Sequence, residues 1–220
     1  MKLILFGGTG MVGSGVLREA LADTEVTRVL HVGRSSCGIE HEKLSETLLA
    51  DLFEFGEVLD QLTGYDACIW ALGVSAMGLD EAAYSRITEE LTLSWAHALL
   101  QQNPGLSLCY CSGMGAGGSA MWARVRQRVE GGLKEMPFRH SGVVRPGFIR
   151  PGPGLRSRTR AYAIGNALMK PIFLLTPLLV RAMPFLFTTS EILGRAMLRV
   201  VKGQADRYVL EARDINRLGA

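Results

Sequence analysis

The sequence predicts an α/β fold: one mostly parallel, doubly wound sheet covered by helices, with a small helical region near its C-terminal end. Three observations carry this. Short strand-like runs alternate with helical patterns through the first two thirds of the chain. Strands separated by helices imply parallel neighbours, right-handed crossovers and a ligand crevice at the carboxyl edge. The first strand runs straight into glycines at G-x-x-G-x-x-G spacing, Gly7, Gly10 and Gly13. At 220 residues the chain has the length of one domain with a full central sheet. Residues 1–220 are therefore read as a single domain, with 145–205 as a substrate-side loop and helical cap.

Taken in order, strands are expected at 3–6, 28–32, 47–50, 67–71, 106–111 and 141–144. Helices are expected at 11–22, near 55–62, at 81–101 and at 122–136. Leu3, Ile4, Leu5 and Phe6 make a continuous apolar run, as a buried strand requires. Val12, Val16, Leu17, Ala20 and Leu21 fall on one stripe of the first helix, the spacing of a helix laid on a sheet. Cys109 and Cys111, two apart on a strand, share a face as small hydrophobes. Trp122 lies on a stripe with Val125, Val129 and Leu133, so it either packs or faces a pocket. After Arg145 the rhythm changes: the prolines and glycines of 145–154 are loop chemistry. A hydrophobic helical segment follows, then Thr188, Thr189, Ser190 and Glu191 read as a helix start that runs to about Lys202. Residues 207–211 read as a last edge strand, and Asp214 as the cap of a closing turn.

Composition excludes several classes. Twenty-four basic against 21 acidic side chains leave a net charge of +3, too balanced to argue for nucleic acid. Arg124, Arg126 and Arg128, and Arg156, Arg158 and Arg160, read as a solvated helix face and a phosphate-facing loop. The four cysteines form no C-x-x-C pair and have no histidine cluster at zinc-ligand spacing. With no signal peptide pattern, a reducing cytoplasm is expected. The apolar stretch 161–187 is interrupted by Lys170, Pro171, Pro177, Arg181 and Pro184, so no uncharged run approaches the ~18 residues of a membrane span. A buried lid or an oligomer contact is favoured over loose membrane association.

The glycine turn sets the chemistry. A turn that tight needs glycine where φ is positive and where backbone touches a ligand. The helix starting at about Met11 aims its unpaired N–H groups at that turn, a seat for pyrophosphate formed by Gly7, Thr9, Gly10, Met11, Val12 and Gly13. In such sites an acid some 20 residues further on bonds the ribose 2′-hydroxyl, whereas an arginine favours a 2′-phosphate. Here the second strand ends Val32-Gly33-Arg34-Ser35-Ser36, with Arg34 in place and no carboxylate beside it. Guanidinium and hydroxyls suit phosphate, so NADP(H) is the expected cofactor. Asp51 and Leu52, after the third strand, could meet the adenine, or Asp51 could simply cap a helix. Ala71, Leu72 and Gly73 end the fourth strand, where Gly73 would admit the inner pyrophosphate and ribose or form a plain turn.

GGTGMVG, the GRSS ending, ALGVS, YCSGMGA, WARVRQRVE, RPGFIRPGPG and TTSEILGRAM together resemble an atypical branch of the short-chain dehydrogenase/reductase superfamily, whose domain is Rossmann-like. More narrowly, the chain resembles nucleoside-diphosphate-sugar epimerase-like proteins, which are similar to the Tat-interacting-protein reductase group. That resemblance implies a site of Ser plus Tyr-x-x-x-Lys, with Tyr as proton donor, Lys holding the nicotinamide ribose and Ser polarising the substrate oxygen. Ser112 matches the serine, but the Tyr and Lys positions fall on Trp122 and Arg126. Indole cannot shuttle a proton near neutral pH, while Arg126 can still meet ribose hydroxyls. Tyr84, Tyr110, Tyr162 and His140 are the other titratable groups within consideration. Arg145 and Pro146 resemble the loop that closes over substrate and cofactor; a structural ion pair is the alternative for Arg145.

The expectation is an NADPH-binding oxidoreductase-like protein acting on a small carbonyl or hydroxyl compound. The alternative is a non-catalytic NADP(H)-responsive regulatory or scaffold protein. The resemblance also implies a homodimer through the helices at 81–101 and 122–136.

Overall fold

Four consecutive apolar residues fit only where both faces of a strand are covered, and Leu3, Ile4, Leu5 and Phe6 are fully buried in β1 (Lys2–Phe6). The computed structural model describes residues 1–150 and 183–220. In it β1 pairs in parallel with β2 (Arg28–Gly33) on one side and β4 (Ala67–Trp70) on the other, with Ile4 opposite both Leu30 and Cys68. β3 (Leu44–Leu48) lies outside β2, while β5 (Ser107–Cys111), β6 (Ser141–Arg145) and β9 (Val209–Glu211) extend the far side. The order β3-β2-β1-β4-β5-β6-β9 is parallel throughout. The winding direction reverses between β1 and β4, so a crevice opens at their carboxyl ends.

Alternate residues of each strand feed opposite cores. Ile4 and Phe6 face Trp70, Trp95 and Tyr110 under α3 (Leu91–Gln102) and α4 (Met121–Glu135); Phe6 stacks on Trp70 at 4.3 Å. Leu3 and Leu5 face Val16, Leu17, Leu193 and Met197, carried by α1 (Met11–Ala22) and α5 (Ser190–Val201). Val16, Leu17 and Ala20 of the expected stripe are buried. Thr189 caps α5, its Oγ1 accepting from the Ile192 N–H at 3.2 Å.

Several expectations need correction. The third strand spans Leu44–Leu48 rather than 47–50, because this edge strand, with three half-buried positions and a polar residue at its buried one, gives a weak apolar signal. The helix near 55–62 is a 3₁₀ segment, Gly56–Leu62. The long helix divides into α2 (Glu81–Ser85), a π-helical turn Arg86–Glu90, and α3. The loop expected across 145–154 contains β7 (Phe148–Arg150), which pairs with β8 (Phe187–Thr189) as a separate two-stranded parallel sheet. The rings of Phe148 and Phe187 stack 5.6 Å apart across this pairing of distant segments. The closing turn is instead α6 (Ala212–Gly219), opened by a capping box between Glu211 and Asp214. Arg156, Arg158, Arg160, Tyr162 and most of 161–187 lie outside the described residues. Among the described residues no helix is long and apolar enough to cross a membrane.

Candidate functional site

The glycine turn lies on the end of β4. Gly7 has φ +81°, and a Cβ there would stand 2.6 Å from the Ala71 carbonyl and 2.7 Å from the Leu72 nitrogen. At Gly13 a Cβ would fall 2.1 Å from the Gly7 oxygen, so α1 could not approach its own turn with any side chain there. Gly10 donates its N–H to the Gly7 carbonyl at 2.9 Å and is the N-cap of α1. The N-cap Gly10 has no side chain with which to cap the helix, and no acid sits in the first turn. Its first N–H groups and positive dipole end thus face the crevice, with Thr9, Met11 and Val12 on the partly exposed rim.

At the end of β2, Arg34 is exposed and makes no hydrogen bond or ion pair to any described residue. The loop behind it is held from within. Glu46 of β3 accepts the Cys37 N–H at 2.7 Å, Ser36 Oγ accepts the Gly38 N–H at 3.0 Å, and the Ser35 carbonyl lies 3.2 Å from His31 Nε2. Asp51 caps a turn, accepting from the Phe53 N–H at 2.9 Å. Leu52 is buried in the core, and its carbonyl takes the Trp95 indole N–H at 2.8 Å.

Between the ends of β4 and β5 lies Arg126. Its Nε donates to the Tyr84 hydroxyl at 3.0 Å and its Nη1 to the Cys111 carbonyl at 3.4 Å. A Cβ on Gly73 would sit 3.7 Å from Nη2. Burial works against the guanidinium charge, but Tyr110, Tyr84 and Cys111 outweigh it and hold the Arg126 pKa above its ordinary value. Ser112 follows Cys111, is 7% exposed, and donates its N–H to the Val144 carbonyl at 2.8 Å. Its Oγ is buried with no hydrogen-bond partner among the described residues. That hydroxyl keeps its hydrogen-bonding capacity free. Ala71 beside Gly7, Gly73 near Arg126, and Arg126 bonded to Cys111 next to Ser112 bring these residues together around the carboxyl ends of β4 and β5.

The remaining sequence-derived residues divide. The Trp122 ring lies against Gly115, whose Cβ would be 3.4 Å from Cη2, while Val125, Val129 and Leu133 are buried behind it. Tyr110 sits inside the core, and burial pushes its hydroxyl pKa up, which removes it as a ready proton donor. His140 precedes β6 and lies at the amino edge of the sheet, the opposite end from Ser112. Arg145 shows the ion-pair alternative: Nη2 meets Glu130 at 2.5 Å and Nη1 meets Glu211 at 3.1 Å. Pro146 accepts the Met114 N–H at 3.0 Å. Arg124 pairs with Glu81 at 2.9 Å and Arg128 with Glu89 at 2.7 Å on the solvated helix face, whereas Arg126, expected there too, is half-buried against Tyr84 and Cys111. Sequence reasoning missed the Tyr84–Arg126 bond, the Glu130–Arg145 pair and the approach of His31, Cys37 and Glu46. Each joins residues from separate elements, so no spacing announces it.

No family model matches the chain. Among curated proteins it is similar to "Protein FMP52, mitochondrial" of Chaetomium globosum, 25% identical over 98% of this chain and 96% of the relative. It is also similar to "Protein fmp52-1, mitochondrial" of Aspergillus terreus, 28% identical over 72% of this chain and 70% of the relative. These names overturn the expectation of a cytoplasmic address, since the relatives, a third from Emericella nidulans included, are all named mitochondrial. Among solved structures it is similar to a UDP-N-acetylglucosamine 4-epimerase from Methanobrevibacter ruminantium, in complex with UDP-N-acetylmuramic acid. That match has a TM-score of 0.70 and 16% identity over 99% of this chain and 79% of that one. It is similar to an oxidoreductase of the short chain dehydrogenase/reductase family from Burkholderia thailandensis, with a TM-score of 0.70 and 14% identity over 97% and 92%. The Bordetella bronchiseptica enzyme WbmH, in complex with NAD+, superimposes with a TM-score of 0.64 and 15% identity over 92% and 72%. The chain therefore has the Rossmann-like fold that short-chain dehydrogenases and nucleotide-sugar epimerases share.

Proposed function

We propose that the chain binds NADP(H) and acts as an oxidoreductase on a small carbonyl or hydroxyl compound. The observation that carries this is the Gly7 turn: a helix N-terminus with glycine at its N-cap, approached only through glycine, at the point where the sheet's winding reverses. The pyrophosphate would rest on the first turn of α1, and Arg34 would meet the 2′-phosphate. The solved neighbours in complex with NAD or NAD+ support a nicotinamide dinucleotide.

When bound, the cofactor supplies hydride transfer. Ser112 Oγ would donate a hydrogen bond to the substrate oxygen and stabilise charge developing there. Arg126, charged and set between β4 and β5, would meet the nicotinamide ribose hydroxyls. Trp122 would wall the pocket without moving a proton. The test is to follow the absorbance of reduced nicotinamide while purified protein meets a panel of small aldehydes and ketones. Turnover that disappears in Ser112→Ala supports the enzyme.

A second reading, a non-catalytic NADP(H)-responsive protein, is favoured by one observation. Arg126 is already bonded to Tyr84 and Cys111, and no titratable side chain stands at the Trp122 position. Tight NADPH binding without turnover of any member of the panel would favour it.

A further inference from the structure

Beside the glycine turn, three side chains from different segments converge: His31 of β2, Cys37 of the following loop and Glu46 of β3. One ligand atom from each lies within 4.8 Å of the others. Gly8 closes one side, since a Cβ there would stand 2.9 Å from both Cys37 Sγ and His31 Nδ1.

The histidine gives an independent clue. Its ring is 1% exposed, and both nitrogens face carbonyl oxygens: Nδ1 that of Leu5 at 3.3 Å, Nε2 that of Ser35 at 3.2 Å. A neutral imidazole carries one N–H. One buried nitrogen therefore points a lone pair at a carbonyl oxygen, a costly arrangement unless a proton or a cation stands there. Glu46 accepts the Cys37 N–H at 2.7 Å, which holds the carboxylate beside the loop that carries the sulfur.

We propose that His31, Cys37 and Glu46 form a binding site for one zinc-class divalent cation. The ligands would be an imidazole nitrogen, a thiolate and a carboxylate, with the Ser35 carbonyl or water in the fourth position. Mixed N, S and O ligands suit zinc, whereas calcium and magnesium require oxygen alone. Ligand atoms around tetrahedral zinc lie roughly 3.3–3.7 Å apart, given bonds of about 2.0–2.3 Å, so modest rotations of Cys37 and Glu46 close the set. Binding exchanges the thiol proton for the metal, and that proton leaves to solvent. The ion would pin the loop that carries Arg34, and the site stands whether or not a dinucleotide binds next to it. The alternative is a cluster whose three side chains only hydrogen-bond their neighbours and hold no metal.

Titration separates the two. The full chain, treated with chelator and kept reduced, is titrated with Co²⁺ alone. One equivalent is expected to give a near-ultraviolet thiolate-to-cobalt band, displaced by Zn²⁺. Cys37→Ser should abolish the band, and Glu46→Gln should weaken Co²⁺ binding at least about tenfold. A folded wild-type chain with no such band, or a band that persists in Cys37→Ser, overturns the site. Should the variants fail to fold, alkylation of wild-type Cys37 decides: Zn²⁺ is expected to protect it, and equal labelling with and without Zn²⁺ overturns the proposal.

Discussion

Arg34 and Ser112 stand at the carboxyl ends of β2 and β5, and each functional group lacks a hydrogen-bond partner among the described residues. They are therefore the cleanest positions to change. Hydrogen bonds to charged groups contribute about 1.5–3 kcal/mol, so Arg34→Asp should weaken NADPH binding by roughly ten- to a hundredfold. NADH binding should barely change, and equal losses for both would remove Arg34 from the 2′-phosphate. Ser112→Ala should abolish turnover yet leave unfolding free energy within about 0.5 kcal/mol of wild type, because the hydroxyl makes no bond to lose. A marked loss of stability in that variant would show that Oγ is structural. Glu130→Gln acts the other way. It leaves the largely buried Arg145 facing a neutral amide where it had a 2.5 Å ion pair. Stripping a partner from a buried pair costs about 3–5 kcal/mol; Glu211 still reaches Arg145, so a loss toward the lower end is expected in urea denaturation.

At the scale of elements, the helix α1 is the hinge between fold and site. Its N-terminus meets the glycine turn, and its flank meets α5 with backbone in contact: a Cβ on Gly15 would fall 2.7 Å from the Ser190 oxygen. Further along, Lys202 ties the C-terminal end of α5 to Asp23 at 2.6 Å. Gly15→Val should force the helices apart, at about 1–3 kcal/mol of stability by thermal unfolding, while the turn itself keeps its sequence. Gly7→Ala should instead strain the turn and displace β4, losing cofactor binding first. What the sequence made legible follows the same division. β1 and α1 could be read because glycine spacing and an apolar stripe are local signals. β3 slipped by three residues because an edge strand alternates only weakly. The π-helical turn at Arg86–Glu90 carries no residue pattern of its own, and β7 with β8 form only through a pairing between distant segments. The Gly7 turn was readable in the same way, whereas the bond between Arg126 and Tyr84, 42 residues apart, was not.

Across the whole molecule, parallel order about β1 places the ends of β1, β2, β4 and β5 along one edge, and every residue assigned to cofactor or substrate at those ends gathers there. His140 fails as a proton donor for the same reason: it precedes a strand rather than following one. This edge is proposed to hold a phosphorylated nicotinamide dinucleotide on the Gly7 turn. Calorimetric titration of the purified, folded chain with NADPH and then NADH tests it most directly. One equivalent of NADPH should bind with measurable heat, more tightly than NADH, and the preference should vanish in Arg34→Asp. No heat with either form of the dinucleotide would contradict the claim.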